Sequence, residues 1–454
     1  MKIHFISIGG SVMHQLAIAL KKKGYQISGS DDEIFNPAKA NLIKNDLLPA
    51  GIGWSEENIN ATLDAVVLGM HAKADNPELK KAIELGLPVY SFPEYIYKES
   101  RGKTRVVVGG SHGKTTTTAM IMHVLKNENM HFDYLVGAGL VGFDQSVQIT
   151  DAPLIVCEGD EYPASTIEKR PKFHFLAPHI ALITGIAWDH INVFPTFEKY
   201  LSQFSIFIDK IESEGFCIYN ETDNVLKNLI SNTTRKDIQF IPYSLPTYFI
   251  ENNVTSIVIE GEKQPLQVFG AHNLLNINAA WKACELLKIS ASSFVKAIAS
   301  FKGASKRLEL LAKNDETHIY RDFAHAPSKS KATIAAVKEQ FPDKKLIAVL
   351  ELHTFSSLSG SFMNEYEGVM GEADLGVVFY SQHALQLKRL PALDPEAVRH
   401  GFGKKSLEVF DNRNALEEWL KGQTYKNTIV LFMSSGDFEG MNVEQFAASV
   451  TDVD

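Results

Sequence analysis

The chain has 454 residues, 45% of them hydrophobic, and a formal net charge of −9. That length carries about two to four domains, and the hydrophobic share is that of a globular protein with substantial cores. The acidic balance speaks against nucleic acid or an anionic membrane as the main partner, and no run of about 18 apolar residues offers a membrane span.

The three cysteines, Cys157, Cys217 and Cys284, form no paired motif, so neither a disulfide framework nor a thiolate zinc site is expected. Residues 1–102 read as a first α/β domain. Lys2–Ile8 is strand-like and runs straight from the N-terminus without a secretory leader, which reads as cytoplasmic. The turn Gly9, Gly10, Ser11, Val12, Met13 follows, then a helix to Lys22 and a second strand over Tyr25–Gly29 that ends at Ser30-Asp31. This is half of a Rossmann-like unit with an acidic residue after its second strand. Val12 and His14 stand where later glycines would be. Asp31 either holds a nucleotide or caps a turn. Further strands are expected at Ala65–Gly69 and Pro88–Ser91, with a helix at Pro77–Leu85 between them.

Residues 103–303 read as a second α/β domain organised on a phosphate loop. Strand-like Thr104–Val108 leads into Gly109, Gly110, Ser111, His112, Gly113, Lys114, Thr115 and Thr116, and a helix-like run begins at Ala119. Glycines let backbone N–H groups approach phosphate oxygens, and the new helix turns its positive end toward them. Lys114 is placed for a terminal phosphate and Thr115 for Mg²⁺. Two continuous apolar runs, Pro153–Cys157 and Ile180–Ile186, read as buried parallel strands. They end in Glu158-Gly159-Asp160-Glu161 and in Trp188-Asp189-His190. Ligand groups gather beyond the carboxyl ends of such strands, and acidic groups there serve Mg²⁺ on a triphosphate.

Residues 304–454 read as a third α/β domain, with strands at His318–Arg321, Leu346–Leu350, Gly376–Tyr380 and Thr428–Phe432. Helices fall around Ser328–Glu339 and Asn414–Lys421. The fold class is therefore α/β in three domains: Rossmann-like, phosphate-loop ATPase-like, and Rossmann-like again.

Six motifs in order resemble the Mur ligase family of ATP-dependent amide ligases. They are Gly110–Thr115, Glu158–Glu161, Asp189-His190, Gly270–Ala280 with His272, Asn273 and Asn276, Lys306–Glu309, and Asp322–Pro327. They span the whole chain. The resemblance implies ATP and Mg²⁺, an acyl-phosphate route, and small-molecule substrates of cell-wall assembly, with no nucleic acid or membrane partner and a monomer or weak homo-oligomer. It implies Lys114 on the β/γ-phosphates and Thr115, Glu158 and His190 as metal ligands. His272, Asn273 and Asn276 match the segment that holds adenine and nearby catalytic groups. Arg307 matches a residue that reaches the phosphates, Asp322 one near the ATP ribose, and His325 lies beside it. The Gly9–Met13 turn and Asp31 match the holder of a uridine nucleotide.

Within the family, Asp160-Glu161-Tyr162 followed by Glu168–Phe173 resembles the branch that joins the tripeptide L-Ala-γ-D-Glu-meso-diaminopimelate to UDP-N-acetylmuramate in peptidoglycan recycling. The alternative is the branch that adds L-alanine to the same nucleotide. A nucleotide-binding switch would not need this full set, and a folate-type polyglutamate ligase shares the fold and ATP logic but is argued against by the uridine-binding first domain. Three positions depart from the pattern. Ser205 stands where some members carry a carbamylated lysine, Gly185 where Asn is common, and Glu351–Leu358, with His353, where an Arg-containing acceptor loop is usual.

Overall fold

The computed structural model describes residues 1–137, 139–140, 142–188, 193–304 and 307–452. The chain forms two compact units. One comprises Met1–Leu245 with Leu275–Ile298, the other Pro246–Leu274 with Ala299–Asp454. Among the described residues no helix is long and apolar enough to cross a membrane.

The first unit holds two sheets. A four-stranded parallel sheet runs in the order Gln26–Ser30, Lys2–Ile6, Ala65–Leu68, Val89–Ser91, with Phe5 opposite Gly29 and Val67. Two of its helices start where the sequence supplies caps. Asn76 accepts the Leu79 amide ahead of Pro77, and Ser91 with Glu94 makes a reciprocal capping box before Phe92–Ser100.

The second sheet has seven strands. Their order is Gln239–Tyr243, Phe216–Asn220, Ile180–Ile183, Thr104–Gly109, Leu154–Glu158, Asp133–Leu135 and Val147–Gln148, and only the last pairing is antiparallel. Thr104–Gly109 therefore lies between Ile180–Ile183 and Leu154–Glu158, and three carboxyl ends converge.

Two boundaries differ from the sequence reading by three residues or more. The strand expected to run to Ile186 ends at Ile183, because the chain after it turns to bond the phosphate loop. The helix expected from Ala119 begins at Lys114. Burial of Thr115 through Thr118 outweighs their weak helix propensity. All three cysteines are buried in this unit. Burial pushes the thiols of Cys157 and Cys217 up to about 12 and that of Cys284 upward as well.

The second unit is built on a six-stranded sheet. The order is Glu309–Lys313, Thr317–Asp322, Thr428–Met433, Lys345–Leu352, Leu375–Tyr380, Glu408–Phe410, parallel except for its first strand. Apolar clusters cover both faces, as the continuous hydrophobic strands require. A three-stranded antiparallel sheet, Thr247–Glu251, Val254–Ile259 and Glu262–Pro265, belongs to the same unit. Thr255 Oγ1 in it donates to Gln340 Oε1 at 2.6 Å.

Candidate active site

Strand Thr104–Gly109 delivers the chain into the glycine-rich turn, and Lys114–Asn127 forms the helix beyond it. Gly113 is the helix N-cap at φ 78°, the left-handed conformation that glycine adopts without strain. A Cβ there would lie 2.4 Å from Asn276 Oδ1, so Asn276 packs directly on the loop. The loop is stitched to the end of the Ile180–Ile183 strand. Thr184 N donates to Gly109 O at 3.1 Å, Ser111 N donates to Gly185 O at 2.9 Å, and the Thr184 hydroxyl donates to His112 O. Thr116 is buried in the first helical turn. The result is a set of backbone amides at a helix N-terminus, which is an anion cradle.

Charged groups surround it. Lys114 Nζ donates to Gly110 O at 2.6 Å and to Glu161 Oε2 at 2.7 Å. Thr115 Oγ1 donates to Glu158 Oε1 at 2.8 Å, and the other oxygen of Glu158 accepts the Gly137 amide at 2.8 Å. Asp160 pairs with Lys172 at 2.6 Å. Burial works against the ammonium of Lys114, but the carboxylates of Glu161, Asp160 and Glu158 outweigh it and hold the pKa above the ordinary lysine value. Burial likewise opposes the charge on Asp160, and Lys172 with Lys114 pulls its pKa below the carboxylate norm.

The N-terminal turn is organised by Asp31. Its Oδ2 accepts the Gly9 amide at 2.6 Å, and a Cβ on Gly9 would lie 2.8 Å from that oxygen. Gly10 carries the His14 ring on its carbonyl at 2.8 Å, Met13 is buried, and Ser11 is exposed with Val12 half-buried. Burial lifts the Asp31 carboxyl from 3.8 to about 6, against the opposing Gly9 amide. The folded pKa is thus above the unfolded one. The carboxyl's stabilising contribution is complete below about pH 4 and is lost as the pH rises through about 6. Wild type should therefore exceed Asp31→Asn in thermal stability by a wider margin at pH 4.5 than at pH 7.5. A margin independent of pH in parallel melts would contradict this reading.

In the second unit, Arg307 lies over the Phe323 ring at 4.5 Å. Asp322 closes the strand Thr317–Asp322. Its carboxylate accepts the Leu308 amide at 3.1 Å and the Thr333 hydroxyl at 2.6 Å. His325 Nδ1 bonds the Phe323 carbonyl at 2.9 Å, and Tyr366 donates to the His325 carbonyl at 2.7 Å. Asn273 Nδ2 donates to Phe269 O at 2.9 Å. Burial lowers the His272 pKa against the attraction of Asp322. His353 stands beyond a different strand, 3.6 Å from the buried Glu351. Glu351 in turn bonds the Ser434 hydroxyl and accepts the Phe438 amide at 3.0 Å.

The sequence-predicted residues thus fall into separate groups. Gly110 to Thr116, Glu158 and Asn276 come together around one loop. Gly9 to Met13 and Asp31 form a second group. Arg307, Asp322 and His325 form a third, and His353 stands with Glu351. His190 and Asp189 lie outside the described residues. Sequence reading gives no role of their own to Glu161, named only within the Glu158–Glu161 and Asp160-Glu161-Tyr162 motifs, to Glu351, named only within the Glu351–Leu358 loop, or to Tyr200, one of several aromatics on an amphipathic helix.

The donors around the loop suit Mg²⁺. A hydroxyl and a carboxylate, Thr115 and Glu158, offer hard oxygens 2.8 Å apart. Among the described residues no three His, Cys, Asp or Glu side chains gather into a metal cage. Magnesium is held in this way when phosphates and waters complete its shell.

A cradle of loop amides with its lysine, hydroxyl and strand-end carboxylate, set at the carboxyl edge of a parallel sheet, defines a phosphate-loop nucleotide-dependent enzyme. Models of the Mur ligase catalytic, middle and glutamate ligase domains match residues 2–104, 108–284 and 306–436, and the chain belongs to the Mur ligase family. A UDP-N-acetylmuramate–L-alanine ligase of a Sulfurihydrogenibium species is 30% identical over 444 residues, covering 96% of this chain and 95% of that one. Two solved structures share the fold. The UDP-N-acetylmuramate-alanine ligase of Thermotoga maritima has a TM-score of 0.69 at 22% identity, covering 99% of this chain and 98% of that one. The murein peptide ligase of Psychrobacter arcticus has a TM-score of 0.64 at 20% identity, covering all of both chains. Mur ligases are ATP-dependent, use Mg²⁺ and form amide bonds.

Proposed function

We propose that this ligase joins L-Ala-γ-D-Glu-meso-diaminopimelate to UDP-N-acetylmuramate. The lactyl carboxylate attacks the γ-phosphorus of ATP and ADP departs, leaving an acyl phosphate. The peptide amine then attacks the acyl carbon, loses a proton, and expels phosphate. A free carboxylate would have to lose oxide, so phosphorylation supplies the leaving group. Lys114 neutralises charge on the transferring phosphate, as its two fixed hydrogen bonds beside the loop support. Thr115, Glu158 and His190 would hold Mg²⁺, which supplies electrostatic stabilisation of the phosphates.

The remaining roles are proposed from their motifs. Residues 1–102 take the uridine nucleotide through Gly9 to Met13 and Asp31, residues 103–303 take ATP, and residues 304–454 serve the acceptor. His272, Asn273, Asn276 and Asp322 attend the nucleoside, and Arg307 the phosphates. His325 and His353 attend substrate.

The observation that carries the tripeptide reading is the insertion after Glu161. It is a built element. Lys172 N donates to Tyr162 O at 3.0 Å, Ala164 N to Arg170 O at 2.9 Å and Ser165 N to Glu168 O at 2.9 Å. Arg170 pairs with Glu168 at 2.7 Å and lies over Phe175 at 4.4 Å. The tip of the insertion bonds the end of the N-terminal sheet. Thr166 N donates to Met70 O at 3.1 Å, and its hydroxyl donates to Ala72 O at 2.6 Å. The segment carrying the residues that resemble the tripeptide-joining branch thus follows the strand Leu154–Glu158, neighbour of the phosphate-loop strand, and bonds the turn after Ala65–Leu68 in the sheet proposed to hold UDP-N-acetylmuramate.

The competing reading, ligation of L-alanine, is favoured by the activity named for the 30%-identical relative. Phosphate release with ATP, Mg²⁺ and UDP-N-acetylmuramate decides between them. Turnover with the tripeptide and none with L-alanine is expected, and the reverse would assign the chain to the L-alanine reaction.

A further inference from the structure

Glu161 is 0% exposed and sits between Lys114 and Tyr200, which is 0% exposed as well. One carboxylate oxygen accepts from Lys114 Nζ at 2.7 Å and the other from the Tyr200 hydroxyl at 3.2 Å. The Tyr200 oxygen is also 2.7 Å from Ser111 Oγ, and Ser111 Oγ accepts the Ala187 amide at 2.9 Å. A phenol has one proton. Because that proton goes to Glu161, the Ser111 hydroxyl must donate to Tyr200. Donation then runs one way, from the Ala187 amide through Ser111 and Tyr200 into Glu161, and the carboxylate receives Lys114 at its far end. The Tyr200 ring is itself fixed, with Phe194 and Phe204 centroids 5.5 Å and 5.3 Å away.

Lys114 has three N–H donors. Gly110 O takes one and Glu161 another. The ammonium of a flexible four-carbon chain is thereby held at two points, which orients the third N–H. A buried carboxylate beside a triphosphate site is otherwise repulsive, and burying it without a partner would be costly.

We propose that Glu161 and Tyr200 are positioning residues that orient the ammonium of Lys114 for the transferring phosphate. The proposal rests on the ATP-binding reading of this loop. Preorganised charge of this kind acts on the transition state more than on ground-state binding.

Tyr200→Phe removes one hydroxyl and keeps the packed ring, so it is the test variant. Its kcat for phosphate release should fall about 10-fold, while KM for ATP stays within about threefold and the melting temperature stays near wild type. Glu161→Gln should lower kcat further, since a neutral amide replaces the charge that holds Lys114. A second readout needs no nucleotide. The Nζ protons of Lys114, followed by NMR in the nucleotide-free protein, should exchange with solvent faster in Tyr200→Phe than in wild type. Unchanged kcat with unchanged exchange, or a rise in KM at constant kcat, overturns the positioning role. Failure of wild type to bind ATP in calorimetry would instead sink the ATP reading, and the exchange measurement would still report on the Lys114 brace alone.

Discussion

Lys114→Ala is expected to cut ATP-dependent phosphate release by about 10²–10³-fold or more, the scale on which one preorganised group at a developing charge acts. It should leave binding of a uridine nucleotide intact, because the Gly9–Met13 turn is organised by Asp31 rather than by the phosphate loop. The substitution has a second consequence. Glu161 would remain buried without its cation, and breaking one side of a buried pair costs about 3–5 kcal/mol. The single variant should therefore melt well below wild type. Adding Glu161→Gln should recover much of that stability and none of the activity. Phosphate release, uridine nucleotide calorimetry and thermal melts of the two variants test this together. Turnover within tenfold of wild type, or loss of uridine nucleotide binding by a folded double variant, would contradict the assignment.

Gly113→Ala should be nearly as damaging by a different physical route. The residue sits at φ 78°, where a side chain costs about 1–2 kcal/mol. The new Cβ would also lie 2.4 Å from Asn276 Oδ1, and Asn276 is buried. Either the loop or the helix Ala271–Leu286 must shift, which re-aims the amides of the cradle. A loss of at least tenfold in ADP affinity is expected, with a drop in stability larger than backbone strain alone gives. Gly86→Ala provides the comparison. Gly86 sits at φ 67° with no atom within 4 Å of its would-be Cβ, so that variant reports the strain without the clash. Equal melting points for the two variants, with ADP affinity unchanged in Gly113→Ala, would show that Asn276 yields freely and that the contact has no bearing on the loop.

The parts of the fold most legible in the sequence are the buried parallel strands. Leu154–Glu158, Lys345–Leu352 and Thr428–Met433 read as near-continuous apolar runs because both faces of their sheets are covered. The sheet Thr247–Pro265 was illegible for the opposite reason. Its outer strands are half exposed or more and carry Thr, Glu, Lys and Gln, and the buried middle strand begins Val-Thr-Ser, too short an apolar run to stand out. Gln239–Tyr243 was hidden by Pro242, which a strand tolerates at the sheet edge it occupies. The helix after the phosphate loop starts five residues before the apolar run at Ala119, through four consecutive threonines of weak helix propensity. Their burial, and the bond from Thr115 to Glu158, outweigh that propensity.

In the candidate site, the placement of Lys114 and Thr115 at the loop is legible from strand, glycine turn and helix, and that of Glu158 beside them from its place at a neighbouring strand's carboxyl end. Glu161 was not separable from Glu158 and Asp160 by sequence. A strand end releases its side chains in directions that only the turn after it decides. Tyr200 carried no signal at all, because nothing in its helix distinguishes a tyrosine whose hydroxyl is used from one that only packs.

The three buried cysteines have a practical consequence. Every thiol of the chain belongs to the first unit, and the second has none. With pKa values pushed upward by burial, these thiols are almost entirely protonated at neutral pH and shielded from reagents, so they are chemically silent while the unit stays closed. Their alkylation rate is consequently a built-in clock for the opening of the half that carries the phosphate loop, blind to unravelling elsewhere. Cys157 precedes Glu158 on the same strand, so its modification timestamps exposure of the strand that delivers the carboxylate facing Thr115.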